Sequence, residues 1–200
     1  MLRELYYQFL PYRSYFGPLL MVGGIAAAFW IPFRLYRRRT LSPRPSIFRE
    51  ALLLIFVLYL AGLAVATLTP NRSSRLVAAG RGGIELRPKL RTLTCPSGPS
   101  GSRSFCVQEL KANAGLFFPL GLLLPLIFTR LRFAKGVLIA LGLAAGIEVV
   151  QYLSSAWGSY RAADVNDVIL NVFGACVGLA IGLVLRLLPR WFSSVLRSAN

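Results

Sequence analysis

The sequence has no histidine, only three cysteines and only seven acidic residues in 200. Without histidine or a CxxC pair, the usual zinc and haem frameworks are excluded. Any bound metal would be a hard cation on oxygen ligands. A glycine-rich phosphate cradle, a nucleophile elbow and an internal repeat are also missing, so we predict no cofactor and no resident metal. Hydrophobic residues make up 56% of the chain and the mean hydropathy is +0.60, which excludes an ordinary soluble domain. What is abundant is positive charge: 23 Lys and Arg give a net charge of +16. These residues cluster in the gaps between apolar runs and form no single stripe. The pattern predicts a topology signal and contact with anionic lipid head groups, with no nucleic acid as partner.

Five apolar runs are visible: Tyr15 to Phe33, Phe48 to Leu68, Ala114 to Phe128, Phe133 to Leu153 and Val165 to Leu188. The predicted fold is an all-α, polytopic transmembrane bundle of about five spans. The first run is followed by Arg34, Arg37, Arg38, Arg39, Arg44 and Arg49, the wrong polarity for a cleaved signal, and reads as a retained helix. The third run is too short to cross roughly 30 Å of hydrocarbon and carries Pro119, Gly121 and Pro125. Two arrangements fit it: a helix that begins earlier and draws in Val107 to Asn113, or a kinked or partly unwound segment walling a site.

The expected organisation is a first helix with a basic cytoplasmic loop (1–47), a second helix (48–69), an extracytoplasmic loop (70–112), a three-span core (113–188) and a basic cytoplasmic tail (189–200). Arginines in the short gaps place the N-terminus outside and the C-terminus inside. In the long loop, Cys95 and Cys106 flank a Pro-Ser-Gly-Pro-Ser-Gly run, which allows an intraloop disulfide in an oxidising compartment. The alternative is two unpaired thiols. Cys176, mid-span, reads as a small buried hydrophobe, and Tyr12, Trp30, Tyr152, Trp157, Tyr160 and Trp191 as an interfacial aromatic belt.

Three of the seven acids, Glu148, Asp164 and Asp167, lie in or beside apolar runs, where ionisable groups are costly and mark candidate sites. Asp164, Asp167 and Asn171 recur at i, i+3 and i+7, on one helical stripe that continues as Gly174, Gly178 and Gly182. Small residues at that spacing let a partner helix approach closely. Glu148 and Gln151 form an i, i+3 pair, and Asn113 starts the third run at the same predicted membrane depth. The candidate ligand-binding set is Asn113, Glu148, Gln151, Arg161, Asp164, Asp167 and Asn171. Glu148 and Asp167 are the candidates for any catalytic role. Capping alone accounts for Asp164 at the start of the fifth span, and the helix dipole favours Asp167 in its first turn. Glu148 has no local partner except Gln151, and Asn171 is too deep to cap a helix.

Three pieces of sequence resemble the VanZ-like family of bacterial membrane proteins. They are Asn113-Ala-Gly-Leu-Phe-Phe-Pro119-Leu-Gly121, Gly146-Ile-Glu148-Val-Val-Gln151, and Arg161-Ala-Ala-Asp164-Val-Asn-Asp167-Val-Ile-Leu-Asn171-Val-Phe-Gly174. The resemblance covers about residues 105 to 188, with a weaker likeness at Thr67 to Pro70, and leaves out the first span and the cysteine-bearing loop. It implies a multi-pass protein of the bacterial plasma membrane and cell envelope. A member of the family is associated with resistance to the glycopeptide teicoplanin, and the family has no established reaction. The expectation is an outer-leaflet polar pocket, without a demonstrated catalytic step, that binds an envelope lipid or a ligand related to glycopeptide or peptidoglycan precursor. The alternative is a membrane enzyme acting on a lipid-linked or phosphorylated envelope precursor, with Glu148 as general acid or base and Asp164 with Asp167 on a divalent cation. A transporter or proton relay is a third class, for which five spans with one intramembrane Glu give little path. The oligomeric state is not legible.

Overall fold

The computed structural model describes residues 13–41, 45–68, 84–88, 95, 102–154 and 163–187. Among them are five helices, each long and apolar enough to cross a bilayer: α1 (Arg13–Thr40), α2 (Ile47–Leu68), α3 (Ser102–Ile127), α4 (Phe133–Ser154) and α5 (Val165–Leu187). Two short strands, β1 (Ile84–Glu85) and β2 (Ala163–Asp164), complete the elements. The chain divides into two units, one of residues 1–69 with 198–200 and one of residues 70–197.

In the first unit α1 and α2 form an antiparallel hairpin. Leu19 lies over Gly62 and Gly23 faces Leu58, and Arg34 reaches Glu50 near the connecting turn. α1 extends seven residues beyond the end of the apolar run at Phe33, through the basic block to Thr40. Arg37, Arg38 and Arg39 occupy its last turn, where the C-terminal end of the helix dipole favours cations. Ser46 caps α2, its Oγ accepting from the Arg49 N–H at 3.3 Å.

In the second unit the third apolar run takes the first of its two expected arrangements. α3 is one continuous helix from Ser102 to Ile127, with Pro119 and Pro125 inside it and no unwound stretch. Its polar first half therefore supplies the length that the apolar run lacked. Cys106, in that first half, is disulfide-bonded to Cys95 with a Cα–Cα distance of 5.7 Å. The unpaired-thiol alternative is overturned for these two residues, while Cys176 is free. Maleimide labelling of the denatured, unreduced protein should accordingly modify one cysteine, and labelling after reduction should modify all three. Three labelled before reduction would place the loop in a reducing compartment.

α5 is the central helix, packed on α3 along one side and on α4 along another. α3 and α5 run parallel: Gly174 abuts the backbone of Ala114, Gly178 that of Phe118 and Leu122, and Gly182 that of Leu122. Gly121 abuts the Ala175 carbonyl from the other side of the seam. A Cβ at any of these glycines would overlap backbone, so the close approach requires glycine at these positions. α4 runs antiparallel to α5, with Gly136 under the Leu179 side chain and Glu148 level with Asp164. Gly136, Ala140, Ala144 and Glu148 recur every four residues on the buried face of α4. A turn at Phe128–Arg132 links α3 to α4, with the Leu131 N–H donating to the Phe128 carbonyl at 2.8 Å. Arg186, in the last turn of α5, donates to the Thr129 carbonyl in that turn. Phe117, Leu120, Ala140, Ala144, Ala175 and Leu179, each at most 1% exposed, form the core.

Candidate functional site

The polar residues predicted from the sequence gather around the N-terminal end of α5, in two arms on different sides of that helix. On the α4 side, Glu148 Oε2 accepts from the Asp164 N–H at 3.0 Å. Asp164 Oδ1 in turn accepts from the Asn166 N–H at 2.9 Å and from Asn166 Nδ2 at 3.0 Å. Asp164 thus caps α5, bonding to the second residue of the helix. Asn166 is fully buried at 0% exposure and was missed in the sequence. The signal for it was the Asp-Val-Asn run, in which an aspartate side chain bonds the backbone two residues on.

On the α3 side, Asn113 Nδ2 donates to Asp167 Oδ1 at 2.6 Å. Asp167 therefore does more than complement the helix dipole: it joins α5 to α3 at the top of the glycine seam. One turn deeper, Asn171 is 3% exposed and its Oδ1 has no hydrogen-bond donor among the described residues. It lies on the stripe between Asp167 and Gly174, on the side that α3 covers. A buried acceptor without a donor costs about 1–3 kcal/mol.

Glu148 and Gln151 are both buried, at 7% and 9% exposed, and face protein. Sequence showed no local partner for Glu148 except Gln151; a distant one is the Asp164 amide, 16 residues on and brought up by the chain's return. Arg161 lies outside the described residues.

A further acid comes from the preceding segment. β1 pairs with β2 in parallel, in the register Ile84 to Ala163 and Glu85 to Asp164, so residues 84–85 lie beside the residue that caps α5. A two-residue strand has no periodicity to reveal it in sequence. The small-residue stripe of α4 was legible in principle, since Gly136, Ala140 and Ala144 precede Glu148 at four-residue spacing.

Chemically, the three carboxylates are spread over two arms. Each has an oxygen engaged by a protein N–H. Among the described residues, no group of three or more acidic, histidine or cysteine side chains is placed to hold a metal. The set is an amide and carboxylate network suited to meeting a polar ligand by hydrogen bonds.

Among known proteins, the VanZ/LLP1 family model matches residues 52–186. No curated protein and no solved structure matches the chain. The match reaches further toward the N-terminus than the sequence resemblance does, taking in most of α2 and the segment that carries β1 and Cys95. It spans all seven candidate ligand-binding residues and, together with the five apolar helices, makes this a multi-pass membrane protein. The chain belongs to the VanZ-like family.

Proposed function

We propose that this protein acts in the bacterial plasma membrane, with the N-terminus outside and the C-terminus inside. Its polar cluster then opens to the outer leaflet, where it binds an envelope lipid or a glycopeptide-related ligand and contributes to teicoplanin tolerance. The observation that carries the reading is Asn171: a buried carboxamide whose Oδ1 lacks a donor among the described residues, one turn below an Asn113–Asp167 hydrogen bond. An acceptor held out of water at such a cost is suited to a hydroxyl or amide N–H supplied by a ligand. The orientation draws support from the arginines of the short gaps and from the disulfide, which belongs in an oxidising compartment. Asn113, Glu148, Gln151, Arg161, Asp164 and Asp167 are the remaining contacts of the proposed site.

The test is expression in a teicoplanin-susceptible host. The wild type should raise tolerance, and Asn171→Leu should abolish the gain at unchanged membrane abundance. Leucine keeps the branched shape and removes the acceptor but is bulkier, so relief of the unpaired oxygen, about 1–3 kcal/mol, is set against an overpacking cost of similar size, and stability should stay near that of the wild type. Tolerance unaffected by the wild-type protein would sink the resistance reading. Tolerance retained in Asn171→Leu would remove Asn171 from the site.

A further inference from the structure

Between the C-terminal half of α1 and the N-terminal half of α2 lies a groove of about 270 Å3. Its walls are mainly apolar and include Trp30, Leu35, Ala51 and Leu54, with Arg34, Arg38 and Glu50 along it. Only Leu54 of these falls within the family match. The polar groups are not equivalent. Arg34 Nε donates to Glu50 Oε2 at 2.7 Å and its Nη2 to Glu50 Oε1 at 2.6 Å, with the guanidinium 5.7 Å from the Trp30 ring centroid. Glu50 is the only acid between residues 13 and 68, and both its oxygens are taken by Arg34. Arg38 lines the same groove half-buried and has no acidic partner among the described residues of this unit. Arg38 is thus free of the ion pair that occupies Arg34, and its guanidinium is open to an anion from outside this stretch of chain.

We infer that this groove binds an anionic diacyl phospholipid, with its phosphate on Arg38 and a segment of one acyl chain against Trp30, Leu35 and Leu54. At roughly 30 Å3 for each water-sized volume the groove holds about nine, enough for a chain segment but not for a whole lipid. The second chain would stay in the bilayer. The surrounding charge favours an anion: residues 34–50 carry six arginines against the single Glu50. Such basic clusters at a span end attract anionic head groups. The Arg34–Glu50 pair holds the two helices at the width of the groove and stands Trp30 along its wall. The site uses none of the polar residues around α5 and stands apart from the proposed outer-leaflet function.

Trp30 is a built-in reporter. With Trp157 and Trp191 replaced by phenylalanine and helicity checked by circular dichroism, Trp30 fluorescence is followed in phosphatidylcholine vesicles. Into these, brominated phosphatidylglycerol or brominated phosphatidylcholine is titrated. The expected result is quenching by the anionic lipid at a mole fraction about fivefold lower. Arg38→Gln should bring that ratio close to one, while Arg37→Gln should leave most of it. Ala51→Phe, which fills the groove and keeps every arginine, should abolish it. Native mass spectrometry of the unmodified protein should show the same preference as retained phosphatidylglycerol adducts. Equal quenching by both lipids, an equal loss from Arg37→Gln and Arg38→Gln, or full preference in Ala51→Phe would each overturn the site.

Discussion

Gly174→Ala is expected to part α5 from α3 and cost about 1–3 kcal/mol from overpacking alone. The added Cβ would meet the backbone of Ala114, which cannot rotate away as a side chain would. Ala114 adjoins Asn113, so the same displacement stretches the 2.6 Å bond to Asp167. A hydrogen bond to a charged group contributes about 1.5–3 kcal/mol, and part of that is lost as well. The control is Gly142→Ala on α4, where an added Cβ meets nothing within 4 Å. That change removes a poor helix former and should be neutral or stabilising by up to about 1 kcal/mol. Denaturant unfolding of both variants in detergent micelles would compare them directly. Equal stability of the two would mean the seam is not as tight as the packing implies.

The second large effect separates two roles of Glu148. In Glu148→Leu the Asp164 N–H loses the carboxylate that accepts it, at the point where the chain turns into α5. The expected cost is about 1–3 kcal/mol, with lower membrane abundance. Glu148→Gln keeps an oxygen in that position and should hold stability to within about 1 kcal/mol while removing the charge. If teicoplanin tolerance falls in the glutamine variant at normal abundance, the charge itself serves the ligand. If it falls only in the leucine variant, Glu148 is a structural anchor for the start of α5. Measuring abundance, unfolding and tolerance on the same three proteins decides between them.

The spans were legible because length and hydropathy are local properties of the chain. Their ends were not: α1 continues past Phe33 because a helix does not stop where its residues become charged, and α3 begins at Ser102 because polar turns remain helical when their ends are held. Cys95–Cys106 and Asn113–Asp167 supply that hold. Pro119 and Pro125 suggested a break, yet a spanning helix tolerates proline when neighbouring groups satisfy the freed backbone.

The polar stripe of α5 was readable from its period, and its glycine continuation implied close contact with a helix that the sequence could not name. Which partner each residue meets depends on contacts 16 residues apart for Glu148 and Asp164 and 54 apart for Asn113 and Asp167. Periodicity carries no information at such separations. Hence the grouping of the candidate residues into two arms, and the places of Asn166 and Glu85 beside them, could not be read in advance.

The parallel seam has a consequence for the order of events during synthesis. α3 and α5 are not neighbours in the chain, so α3 is completed some 60 residues before the end of its partner. At about 5–20 residues per second that is a wait of roughly 3–12 s. During it, the Asn113 side chain and the Gly121 backbone have no mate in α5. The newborn protein therefore waits with the α3 side of the seam uncovered, and a chain cut short before Val165 would never cover it. α5 thus closes a contact surface that α3 has carried since its own synthesis.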